Sequence, residues 1–185
     1  SGEVVLARAR QVVRYPARFL LVLASNPCPC GRAVGKGVDC SCRPREVRAY
    51  GARLSGPLLD RVDLRIEMRA AGRVDLRGDC TPESSAVVAA RVLEARERMA
   101  RRLAGTPWRL NAEVTGPVLR REWQLPWEVV AEVERLFDLG QLTSRGVDRV
   151  LRVAWTIADL AGHDRPDAGD VRMALDCRGA VRVAA

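Results

Sequence analysis

Four of the chain's six cysteines lie in one short stretch, Asn26 to Cys42, which reads NPCPCGRAVGKGVDCSC. The two Cys-x-Cys pairs, Cys28/Cys30 and Cys40/Cys42, stand nine residues apart. Zinc takes four soft ligands in tetrahedral array, so four converging thiolates make a complete shell. Pro27 and Pro29 restrict the backbone, while Gly31, Gly35 and Gly37 permit the tight turns that would bring the pairs together. The gap inside each pair is shorter than the usual two-residue gap of zinc sites. The expectation is a structural zinc on Cys28, Cys30, Cys40 and Cys42, in preference to free thiols or a nested pair of disulfides. A shell closed by four protein ligands staples a loop and does no chemistry, because catalytic zinc needs a vacant position for water.

At 185 residues and 48% hydrophobic content the chain can bury one good core or two small ones. It contains no run of about 18 uncharged apolar residues, and SGEVVLARAR at the start lacks the apolar stretch of a signal peptide. The expected address is the cytoplasm, with no membrane partner, and in that reducing setting clustered cysteines hold metal more often than they pair. Cys80 and Cys177 stand alone. The formal charge of +8 is unevenly spread. Residues 1 to 70 carry 13 basic against 6 acidic side chains, and the remainder 18 against 17. A basic excess confined to one segment points to a polyanion, either nucleotide phosphates or nucleic acid. An arginine-favouring genome is the competing explanation, since Lys36 is the one basic residue that is not arginine.

Residues 3 to 8 (EVVLAR) and 12 to 15 (VVRY) predict a hairpin. Phe19 to Ser25 (FLLVLAS) reads as an apolar strand covered on both faces. After the cysteine loop, Pro44 to Arg53 and Ser55 to Asp60 predict helices, and Val62 to Met68 (VDLRIEM) alternates as a strand does. Strand, loop, helix, strand is α/β architecture. Beyond a polar linker the chain is helical. Thr81 is the expected cap of a helix starting at Pro82, with Val88, Val92, Ala95, Met99 and Leu103 inward. A second helix follows Pro126 with Val129, Val133, Leu136 and Phe137 inward. The longest starts near Thr143 with Val147, Val150, Leu151, Ala154, Ile157, Ala158 and Ala161 inward. The last runs from about Asp167 to Cys177. His163, the one histidine, is expected to be a solvated residue at a helix end.

The segment Gly31 to Gly37 imitates a phosphate-binding loop, but it has three residues where four belong and Gly37 where Ser or Thr should hold magnesium. The wider pattern is more specific. The strand FLLVLAS, then NPCPCG with its paired cysteines, then LSGPLLDRVDLRIE, resembles a magnesium-chelatase-type AAA+ ATPase of the ComM/YifB-like, competence-associated branch. LTSRGVDRVLRVAWTIADLAG resembles the helical domain that ends such proteins. The resemblance covers nearly the whole chain. It implies residues 1–70 as the C-terminal part of an α/β nucleotide-binding domain with its pre-sensor hairpin, 71–82 as linker, and 83–185 as an all-helical lid.

The resemblance also implies roles. Asn26 corresponds to sensor 1, Arg61 in LLDRVDL to the arginine finger that acts on a neighbouring subunit's nucleotide, and Arg145 in TSRGVDR to sensor 2. Phosphoryl transfer is catalysed by positioning and charge stabilisation, which suits arginines. From the residues alone, Arg61 reads as a surface ion pair with Asp60 or Asp63. Arg145 reads as an exposed arginine near Asp148, oddly placed in a helix's first turn where the dipole disfavours a cation. Arg149 and Arg152 follow on the same face and either extend an anionic site or keep that face wet. Asn26 alone reads as a loop residue capping its own turn.

No G-x-x-x-x-G-K-[ST] and no apolar strand ending in Asp-Glu is present. The chain therefore reads as the C-terminal fragment of a larger ATPase that does not hydrolyse ATP alone. By resemblance the parent uses ATP and magnesium, assembles into a ring, expected to be a hexamer, and acts on DNA in branch migration. Two alternatives stay open. One is a magnesium chelatase subunit that inserts metal into porphyrin; the other is a non-enzymatic, zinc-stapled nucleic-acid-binding module.

Overall fold

The computed structural model describes residues 2–8, 11–35, 37–68 and 82–179. The chain divides into two compact units, Ser1–Ala52 and Arg53–Ala185.

In the first unit, β1 (Glu3–Arg8) pairs antiparallel with β2 (Gln11–Pro16), with Glu3 opposite Pro16 and Arg8 opposite Gln11. The expected hairpin is present and solvent-exposed along both strands. The strand expected at Phe19 to Ser25 is not formed. Residues 17–26 have no regular structure, and Phe19 to Leu23 are 50–89% exposed. A strand needs a neighbour to take its backbone hydrogen bonds, and β1–β2 is the one sheet among the described residues. After the cysteine loop, α1 (Pro44–Gly51) begins with proline at its first position, and the Arg43 backbone N–H donates to Glu46 Oε2 at 2.8 Å.

The second unit opens with α2 (Gly56–Leu59), capped by Ser55, whose Oγ accepts from Leu58 N at 3.4 Å. The strand expected over Val62 to Met68 is likewise not formed. Leu64, Ile66 and Met68 are exposed, again with no ladder partner among the described residues. Residues 69–81, which contain Cys80, Thr81 and most of the expected linker, lie outside the described residues.

Next comes α3 (Ser85–Leu103), which starts later than expected because Ser84 is its cap, accepting from Val87 N at 3.4 Å. Its C-terminal part buries Ala95 and Leu103, whereas Val88 and Val92, expected inward, are each 38% exposed. A 3-10 turn (Asn111–Glu113) and the unexpected α4 (Gly116–Arg121) lead to α5 (Trp127–Asp138), α6 (Ser144–Ala161) and α7 (Ala168–Asp176). At 18 residues α6 is one shorter than α3, so it is not the longest helix as expected. α6 packs against every other helix from α3 onward, and its Val150, Leu151, Ala154, Trp155 and Ala158 are buried. Ala161, expected inward, is exposed. Phe137 is also 47% exposed, because Val133 and Leu136 occupy the core face of α5 and the next residue is turned about 100° away. α6 ends where Gly162 takes φ 85°, a conformation that favours glycine, and its N–H bonds to Ala158 O.

A polar network sits beside this core. Asp159 is 2% exposed, and both its oxygens accept from the Arg102 guanidinium. Asn111 Nδ2 adds a bond to Asp159 Oδ2 at 3.0 Å, and Asn111 Oδ1 accepts from Arg102 at 2.9 Å. The same guanidinium lies 4.5 Å from the Trp155 ring and 6.0 Å from the Trp123 ring. His163 is not simply solvated: its Nδ1 lies 2.8 Å from Asp170 Oδ2, beside the Asp167–Asp170 capping box of α7. That bond and the Asp170 charge raise its pKa above the ordinary histidine value, with Asp167 adding to the rise. Among the described residues no helix is long and apolar enough to cross a membrane.

Candidate functional site

The four loop cysteines do converge. Cys28 Sγ lies 3.4 Å from Cys30 Sγ and 3.7 Å from Cys40 Sγ, and Cys30 and Cys40 are 3.7 Å apart. With Cys42 they form a set whose sulfurs all lie within 4.8 Å of one another. A tetrahedron of zinc–sulfur bonds of about 2.3 Å has sulfur–sulfur edges of about 3.8 Å, which these spacings approach. Gly31, Gly35 and Gly37 all take positive φ (76°, 59° and 63°), so the loop turns where side chains would resist. The Ala33 N–H points at Cys28 Sγ at 3.3 Å.

The crowding separates the thiols electrostatically. The Arg32 backbone N–H, together with the Cys28 and Cys42 side chains, lowers Cys30 to about 6. At Cys42 a backbone bond from Cys30 favours the thiolate, but the Cys30 side chain, desolvation and Cys28 outweigh it and push the thiol to about 12. A divalent cation would relieve that conflict by accepting all four as thiolates. Asn26 belongs to this unit, with its side-chain amide close to Gly31.

The second unit holds the arginines. Arg61 follows α2 directly; its backbone N–H bonds to Leu58 O and its Nη1 to Pro57 O at 2.8 Å. Arg145 sits in the first turn of α6, which Thr143 caps by accepting from Gly146 N at 3.0 Å. The two line one open cleft of about 480 Å³ together with Arg65 and Arg178. Among the described residues Asp60 is its one carboxylate, already bound to Arg178 at 3.1 Å and within 3.3–3.4 Å of the Thr143 hydroxyl.

None of the local ion pairs expected from the sequence forms. Asp60 pairs with Arg178, Asp63 with Arg149, and Asp148 with Arg120. Among the described residues, Arg61 and Arg145 are left without a carboxylate partner. Both face a cleft that also receives the positive end of the α6 dipole. Arg149, expected beside Arg145, has its charge met by Asp63 and does not line the cleft. Arg152 turns inward, its Nε donating to Val114 O at 2.8 Å, and burial lowers its pKa from the ordinary arginine range. Burial lowers Arg178 in the same way, against the opposing pull of Asp60. Arg65 and Arg178 were not singled out in the sequence. Arg178 lies 118 residues from Asp60 and carries no local signal.

The cleft's chemistry is that of an oligoanion site. Guanidinium groups present donors in the fork geometry that phosphate oxygens accept, and among the described residues no unengaged carboxylate stands with them. The cleft's own described side chains offer magnesium no free carboxylate, because Asp60 is taken, so the metal would have to be held by the phosphates and by residues elsewhere.

Comparison with known proteins assigns both parts. Residues 1–76 match the family described as magnesium chelatase, subunit ChlI, and residues 82–178 match its C-terminal domain family. The chain is 47% identical over 178 residues to an uncharacterized protein of Mycobacterium tuberculosis, covering 96% of this chain and 35% of that protein. It is 36% identical over 185 residues to the competence protein ComM of Haemophilus influenzae, covering 99% of this chain and 35% of ComM. It is 41% identical over 166 residues to the uncharacterized protein YifB of Escherichia coli, covering 89% of this chain and 31% of YifB. The chain thus spans about a third of the length of each of these relatives.

Proposed function

The chain belongs to the magnesium chelatase subunit ChlI family, and from that premise we propose that its residues serve an AAA+ ATPase that works on DNA as a ring-shaped motor. In that ring Arg61 is the arginine finger, Arg145 is sensor 2 and Asn26 is sensor 1. The observation that carries this reading is the shared cleft, where Arg61 and Arg145 face the same space while the acids next to them in sequence, Asp60, Asp63 and Asp148, are paired with other arginines.

Bound ATP with magnesium supplies the phosphoryl group that is transferred. The chain's own residues supply charge. As negative charge spreads over the transferred oxygens, the two guanidinium groups stabilise it from fixed positions, in a cleft whose one carboxylate among the described residues, Asp60, is already engaged by Arg178. Neither arginine has to leave an ion pair first. The Cys28, Cys30, Cys40 and Cys42 cluster holds a structural zinc that fixes the loop following Asn26, and the exposed β1–β2 hairpin with its arginines faces DNA. The DNA-directed part of the reading draws support from the competence protein among the relatives.

The test is ATP hydrolysis by the assembled, Walker-motif-containing protein that carries these residues. Arg61→Ala should lower kcat by about 10³ with KM for ATP little changed, as removal of an arginine finger does. Mixing Arg61→Ala subunits with Walker-defective ones should restore turnover, because each partner then supplies what the other lacks. Wild-type turnover by Arg61→Ala would overturn the assignment.

A further inference from the structure

We propose that Arg178, clamped to Asp60, is a positioning residue that docks the Arg61 segment onto the helical domain, so that Arg61 and Arg145 meet an anion as one preset pair. The proposal rests on the anion-site reading above. Residues 60–65 form no helix or strand that would hold Arg61 in place. Bonds back to α2 hold the start of this stretch, Asp60 N to Gly56 O, Val62 N to Leu59 O and Arg61 to Leu58 O and Pro57 O, and a set of bonds to the start of α6 and the end of α7 docks it onto the helical domain.

Arg178 is 5% exposed, the one buried arginine among the described residues. Its Nη1 donates to Val62 O at 3.0 Å and its Nη2 to Asp60 Oδ1 at 3.1 Å, so a single guanidinium grips the chain on both sides of Arg61. The adjacent Cys177 O accepts from Arg65 N at 2.6 Å. Asp60 also receives the Thr143 hydroxyl, and Thr143 caps the helix turn that carries Arg145. Asp63 is held by Arg149, one turn further along α6. Apart from the Arg65–Cys177 bond, each anchor lies within two residues of one of the two cleft arginines or one helical turn beyond it.

A buried ion pair is a weak net stabiliser, because desolvation offsets most of its Coulomb attraction. What it does supply is direction, since a planar fork satisfies two acceptors in only one geometry. At 5% exposure and with both terminal nitrogens engaged, Arg178 is placed to aim Arg61 rather than to grip the anion itself.

The experiment is a double-mutant cycle on this 185-residue chain, titrated with inorganic tripolyphosphate by calorimetry at low ionic strength. Loss of one charge-assisted contact should weaken binding by about tenfold, so Arg61→Ala should cost about that factor in the wild type. Arg178→Gln should cost a similar factor. In the Arg178→Gln background, Arg61→Ala should then cost less than about twofold, because Arg61 no longer reaches the anion. Arg178→Lys, which keeps the charge and one of the two grips, should restore part of the loss.

If Arg178→Gln does not fold by circular dichroism, Asp60→Ala serves instead, since it removes the acceptor of the clamp and leaves the Arg178–Val62 bond in place. An unchanged Arg61→Ala penalty in the clamp variant would overturn the proposal, whether Arg178 turned out to be purely structural or to touch the anion directly. No Arg61→Ala penalty in the wild type would retire the anion site itself, and the inference with it.

Discussion

Replacing Asp159 with Ala removes the acceptor on which the Arg102 guanidinium depends. In the native chain Arg102 is 17% exposed at its side chain, bonds both Asp159 oxygens, and stacks against Trp155. The variant leaves it with Asn111 Oδ1 alone, and leaves Asn111 Nδ2 with only Thr156 Oγ1 at 3.1 Å. Breaking a buried pair from one side costs about 3–5 kcal/mol. The helical domain that pays this holds about a hundred residues, whose total stability is about 5–15 kcal/mol. At about 4–8 °C per kcal/mol for a domain of that size, the expected fall in melting temperature is roughly 12–40 °C.

The assay is urea and thermal unfolding followed by tryptophan fluorescence, which reports on this site because Trp123 and Trp155 lie 5.2 Å apart, tilted by 60°, beside Arg102. The double variant Arg102→Met/Asp159→Leu replaces both charges by apolar groups of similar size and should recover most of the loss. A single variant within about 1 kcal/mol of wild type would refute the reasoning, as would a double variant as unstable as the single losses combined.

Two further outcomes follow from the first unit and from α7. Chelation should release one zinc per chain and free four additional thiols, with loss of protease resistance confined to the loop around Asn26–Cys42; no zinc and no change in thiol count would contradict the staple. His163 bonds Asp170, so its pKa is raised in the folded state. Its stabilising contribution is therefore fully present below the unfolded histidine value of about 6.5 and lost as pH rises through the folded value. The stability gap between wild type and His163→Gln should be wider at about pH 5.5 than at about pH 8.5, and a gap that widens with pH would show the sign to be wrong.

The helical half was legible in the sequence because its apolar residues recur at helical spacing and its ends carry caps. Thr143 and Asp167 mark the starts of α6 and α7 where the structure places them. What was misread depended on partners distant in sequence. FLLVLAS and VDLRIEM carry strand patterns, yet a strand exists only where another lies alongside, and no local pattern reports that. α4 is short and starts at Gly116-Pro117, a pair that reads as a turn. The thiol cluster was legible because its ligands are local and its spacing is chemical.

The arginine cleft was half legible. Arg61 and Arg145 stood out by resemblance, but the acids beside them in sequence suggested local ion pairs. The structure instead gives Asp60, Asp63 and Asp148 to Arg178, Arg149 and Arg120, from 28 to 118 residues away. Charge pairing is settled by which guanidinium the fold brings closest, and sequence adjacency has little weight in it. The Arg102–Asp159 network, with its partners 57 residues apart, was invisible for the same reason.

The central claim is that Arg61 and Arg145 serve one anion. The most direct measurement is nuclear magnetic resonance of the arginine side-chain Nε–H groups, assigned through Arg61→Lys and Arg145→Lys and titrated with tripolyphosphate. Both resonances should shift along one saturation curve with a single midpoint, while that of Arg149, held by Asp63, stays still. Separate midpoints for Arg61 and Arg145, or a shift in only one of them, would contradict the shared site.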